Sequence, residues 1–143
     1  MSARDRDRDT QGRARQARPR DALGRPLPYG AEGVSPVSEE ALPPDETLRV
    51  ARGLVQGGRP FSAHEVLEAR WKAGPDEERD LWQGLAQLCV AMTHEARGNG
   101  VGAARRFERA AGRLADFAAT GRPAHGVDLD AVMAGARRHD GTF

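Results

Sequence analysis

A single cysteine, Cys89, excludes an internal disulfide and any multi-cysteine zinc site. No apolar run approaches the roughly eighteen residues of a membrane-spanning helix, so no membrane association is expected. The opening MSARDRDRDT alternates charges and has no apolar stretch of the signal-peptide kind, so the reading is a soluble, cytoplasmic protein. Neither sign of charge prevails: 22 basic against 21 acidic residues leave a formal +1. That balance argues against a polybasic nucleic-acid binder and against an acidic tail protein, while a protein partner or self-association stays open. Lysine is nearly absent, with Lys72 alone among the 22 basic residues. With 24 alanines and 17 glycines beside them, the arginines reflect GC-rich codon usage and carry little functional weight.

What is present divides near residue 45. Residues 1–45 hold six of the nine prolines, and their large aliphatic side chains are limited to Leu23, Leu27, Val34, Val37 and Leu42. Such a stretch buries too little apolar surface to offset an ordering entropy of about 1–2 kcal/mol per residue. Residues 1–44 therefore read as a largely disordered Arg/Pro-rich arm, within which Leu23, Leu27, Tyr29 and Val34 could form an extended strap over the domain. Residues 45–138 read as a helical domain, and 139–143 as a tail.

Five helices are expected, and no stretch alternates as a strand would, so the fold class is all-α, a compact bundle of antiparallel hairpins. Asp45 is the expected cap of the first helix, which carries Leu48, Ala51 and Val55 and stops at Gly57-Gly58. Ser62 and Glu65 have capping-box spacing for a second helix ending at Gly74. Pro75 is expected as the first residue of a third helix, running to about Arg97 and broken at Gly98-Asn99-Gly100. Ala103, Phe107, Ala110, Leu114 and Phe117 mark a fourth helix from about Gly102, and Asp128 caps a short fifth with Leu129, Val132, Met133 and Ala136.

The second and third helices hold the polar groups of interest. At about 100° per residue, Phe61, His64, Leu67, Glu68 and Trp71 share one stripe, expected to face the core. From Leu81 to His94 the third helix carries no charge, with Gln83, Gln87, Val90 and His94 along one face. A short Gly-Pro turn makes these helices antiparallel neighbours, so His64 and Glu68 are expected to meet Gln83, Gln87 and His94 inside the domain. Two readings follow. His64, Glu68 and His94 could bind zinc or iron, with Glu65 or Glu68 as general base and Gln83 or Gln87 orienting a ligand. Alternatively the group, with Trp71, is a structural hydrogen-bond network in an interaction or scaffold module that needs no metal. The string HExxE lacks the second same-helix histidine that makes the zinc-protease motif specific. Arg105, Arg106, Arg109 and Arg113 form a basic stripe with Arg97 nearby; without interleaved aromatics it reads as a solvated face, not a nucleic-acid surface. Cys89 reads as an inert core thiol.

Phe61-x-x-His64-Glu65-x-x-Glu68-x-x-Trp71, then Trp82-Gln83-Gly84-Leu85-x-Gln87-Leu88, His94, Gly98-Asn99 and Gly102-Ala103 resemble the helical bacterial and archaeal family called domain of unknown function 309. The resemblance covers about residues 46–118. It implies an all-α domain with the His/Glu helix packed on the Gln/His helix. Members sometimes carry the label predicted metal-dependent hydrolase, which rests on the same His-Glu pattern.

Overall fold

A computed structural model describes Arg25 and residues 40–143. Apart from Arg25 and residues 40–44, the arm read as disordered lies outside the described residues, as does the strap of Leu23, Leu27, Tyr29 and Val34. At its end Pro44 opens α1, and the Leu42 carbonyl accepts from Thr47 Oγ1 at 3.0 Å and Arg70 Nη1 at 2.8 Å. The described part is all-helical: α1 (Pro44–Gln56), α2 (Pro60–Ala73), a single 3-10 turn (Asp76–Glu78), α3 (Arg79–Ala96), α4 (Gly100–Ala119) and α5 (Leu129–Arg137).

Helix ends follow local chemistry, though not always through the expected residue. Pro44 and Pro60 occupy first-turn positions, where a missing N–H costs nothing. Each moves its helix start upstream of the expected cap. Asp45 thus lies inside the first turn of α1, and Ser62 lies inside α2, buried, accepting from Arg59 Nη2 at 3.1 Å. Neither residue is an N-cap, and the expected Ser62/Glu65 capping box does not form. Pro75 precedes the 3-10 turn and does not open α3. Asp128 caps α5 as expected, its carboxylate accepting from Ala131 N at 3.1 Å. Asn99 does the same for α4 through Gly102 N at 3.0 Å, so that helix starts at Gly100, two residues before the expected Gly102.

The long uncharged α3 is the centre of the packing. It lies against α2 on one side and α4 on the other; α1 covers α2, and α5 covers α4. Leu81, Trp82, Leu85, Leu88 and Cys89 are fully buried there, with Leu67 from α2 and Phe107, Leu114 and Phe117 from α4. Residues 139–143 pack back onto this core: Gly141 is buried against Met92, and Arg52 holds Phe143 by a hydrogen bond to its carbonyl. Among the described residues no charged side chain is buried, and no helix is long and apolar enough to cross a membrane.

Candidate functional site

On α2 the candidate residues form a row one helical turn apart. His64 Nε2 lies 3.0 Å from Glu68 Oε2, and Lys72 Nζ donates to Glu68 Oε1 at 2.7 Å. Phe61 and Trp71 flank the row, the Phe61 ring 5.5 Å from the imidazole and the Lys72 ammonium 5.9 Å from the indole. The hydrogen bond from His64, then that from Lys72, outweighs partial burial and holds the Glu68 carboxyl at about 2. With both oxygens engaged and so low an affinity for protons, Glu68 is a poor general base. His64 Nδ1 is buried and meets no hydrogen-bond partner.

The row is not core-facing, which corrects the expectation for His64 and Glu68. Their side chains keep 21% and 35% of their exposure, whereas the buried residues of α2 are Pro60, Ser62, Ala63, Val66 and Leu67. Of the expected stripe, Leu67 is fully buried and Trp71 packs partly against the core, while Phe61, His64 and Glu68 sit at its margin. Small Ala63 and Val66 allow close helix approach, and the two aromatics are left half-exposed beside the charged row.

On α3 the partners also differ from expectation. His94 Nδ1 accepts from Asn99 Nδ2 at 3.0 Å, so the imidazole braces the α3–α4 turn. Burial, then the charges of Arg106 and Arg97, hold its pKa below the ordinary value, which matches a neutral, accepting ring. Gln87 turns toward α4, lining an open groove of about 530 Å³ with Arg109, Gly112, Arg113 and Asp116. The Oε1 atoms of Gln83 and Gln87 are buried without a donor. No hydrogen bond joins His64 or Glu68 to Gln83, Gln87 or His94. Among the described residues no three His, Cys, Asp or Glu side chains stand close enough to hold one metal ion. His64, Glu68 and His94 therefore do not fit the three-ligand zinc or iron set.

A second imidazole–carboxylate pair escaped the sequence reading. His125, in a left-handed backbone conformation between α4 and α5, places Nε2 2.9 Å from Glu78 Oε2 and stacks on Trp82 at 5.6 Å. Trp82 Nε1 donates to the other Glu78 oxygen at 3.1 Å. Burial works to raise the Glu78 pKa, but these two hydrogen bonds and the charge of Arg70 bring it below its ordinary value. The Trp82 spacing of four from Glu78 was visible in the sequence; a loop histidine 47 residues away carried no signal. Cys89 is fully buried and its thiol pKa is pushed up by desolvation, as an inert core thiol requires.

These features define a small helical-hairpin domain with polar side chains spent on row, turn and loop contacts. Residues 48–106 match the family model described as domain of unknown function (DUF309). The chain is also similar to the uncharacterized protein YpuF of Bacillus subtilis (strain 168), 46% identical over 46 residues. That match covers 32% of this chain and 26% of the relative, so the chain spans about a quarter of the curated protein it matches. No solved structure matches the chain.

Proposed function

We propose that the domain is a non-catalytic helical interaction module in which His64, Glu68, Trp71 and His94 are structural. One observation carries the reading: the candidate site residues are engaged in separate local contacts, with Glu68 neutralised between His64 and Lys72, and His94 held by Asn99. A hydrolytic site of the kind the family label suggests needs a free carboxylate and convergent ligands. It retains one favourable feature, the unpartnered Nδ1 of His64.

The two readings separate in a double-mutant cycle combined with metal analysis. His64→Ala and His94→Ala, made singly and together, are expected to have additive effects on unfolding free energy, within about 0.5 kcal/mol, as independent sites do. Protein purified without chelator should carry no stoichiometric zinc or iron. Stoichiometric metal lost from both folded single variants, with strongly non-additive stabilities, would overturn the proposal.

A further inference from the structure

Resting on that reading, we infer that the groove between α3 and α4 is a docking site for an acidic, extended peptide segment of a protein partner. Four features converge on it. Gln87 lines the groove from α3, and its Oε1 is a buried acceptor without a donor. Gln87 makes no hydrogen bond among the described residues, so its carboxamide is left to pair with a backbone group of a bound chain. Four helical residues rise about 6.0 Å, close to the roughly 6.6–6.8 Å between alternate residues of an extended chain. Alternate residues of a bound strand can therefore keep pace with side chains spaced four apart along a helix wall.

Across the groove, Arg109 and Arg113 repeat the same four-residue spacing on α4. Arg109 makes no hydrogen bond or ion pair among the described residues. Arg113 uses Nη1 on Asp80 at 3.1 Å and remains 38% exposed. The pair presents guanidinium donors to carboxylates on an extended chain, a match of charge and geometry. Asp116 also lines the groove and is the one opposing charge against the two arginines there. Arg106 and Arg97 extend the positive potential toward His94, whose lowered proton affinity registers it. Finally, Gly112 lines the groove from mid-helix, where glycine weakens a helix. A Cβ there would meet no atom within 4 Å, so internal packing does not call for the glycine; the absent side chain leaves the groove open.

The test is fluorescence anisotropy with the full chain and a fluorescein-labelled peptide of alternating glutamate and serine. Parallel arms use the lysine–serine peptide, inorganic phosphate as competitor, and a labelled single-stranded RNA. Saturable binding of the acidic peptide in the micromolar range is expected, unaffected by millimolar phosphate. Gly112→Leu, which fills the groove, and Gln87→Leu, which keeps the charge, should each weaken it about tenfold. Arg109→Gln should do likewise, whereas Arg49→Gln on α1 should leave binding unchanged, and circular dichroism should report all four variants folded. The assignment is overturned by absence of saturable binding, by equal binding of RNA, or by losses that follow net charge with Gln87→Leu indistinguishable from wild type. Any of these removes the groove site alone, because the interaction-module reading stands or falls on the His64/His94 cycle and the metal content.

Discussion

Gly84 of α3 and Leu114 of α4 meet where the two helices cross: a Cβ on Gly84 would stand 2.8 Å from Leu114 Cγ and Cδ2. Leu114 is fully buried, and its Cγ is not a free chain end that can swing aside. Gly84→Ala gains up to about 1 kcal/mol of helix propensity but forces the central helix pair apart. The expected outcome is a net loss of about 1–2 kcal/mol in urea unfolding. Gly112→Ala, with open space at its Cβ, should instead gain about 0.5–1 kcal/mol. If Gly84→Ala stabilises as much as Gly112→Ala, the close approach is not a packing constraint.

Glu68 makes stability depend on acid. Its folded pKa, about 2, lies below the ordinary 4.5, so the folded state binds the proton less readily than the unfolded chain. The contribution is fully present above the ordinary carboxylate range and is lost as pH falls from about 4.5 toward 2. Because the carboxylate is 35% exposed and the row is screened by solvent, it amounts to about 1 kcal/mol at neutral pH. Glu68→Gln should lose that amount at pH 7 and only a small part of it near pH 2. A loss that is the same at both pH values would mean that packing, not charge, holds the row.

The fold was legible in the sequence because its signals are local. Asp128 caps α5 three residues from its partner N–H, and the uncharged Leu81–His94 segment announces a helix buried on more than one side. Starts were misplaced where two local signals competed: Pro60 at the first turn overrode the Ser62/Glu65 spacing. The candidate site was legible only within one helix. The His64–Glu68 pair follows from a spacing of four, but its exposure depends on which neighbours α2 packs against, and Ala63 and Val66 are inconspicuous beside Phe61 and Trp71. The Glu78–His125 contact depends on the path of the α4–α5 loop, which composition does not encode.

His94 should titrate below the ordinary histidine value of 6.5. Burial, then the positive charges of Arg106 and Arg97, disfavours the imidazolium, and Asn99 Nδ2 donates to a lone pair that protonation would remove. A depressed folded pKa means that stability from this contact is present above 6.5 and falls as pH drops through the folded value. Proton NMR of the His94 ring should show the low midpoint, and Arg106→Gln should raise it. An unchanged midpoint in Arg106→Gln would remove the arginine from the explanation.

The clasp of His125 on Glu78 and Trp82 ties the α4–α5 loop to the start of α3, and it too should release in acid. Burial favours the protonated Glu78 carboxyl, but hydrogen bonds from His125 and Trp82 outweigh it, so the folded pKa lies below 4.5. The clasp therefore contributes above the ordinary carboxylate range and loosens as pH falls through the depressed folded value. In a Trp71→Phe background, Trp82 emission should change with a midpoint below 4.5, and Glu78→Gln should abolish that transition. His125→Ala should lower stability by about 1–2 kcal/mol at neutral pH, because it removes one hydrogen-bond donor to a largely buried carboxylate and the ring stacked on Trp82. Trp82 emission that follows the same acid transition in Glu78→Gln as in the background protein would rule the carboxylate out as the group that releases the loop.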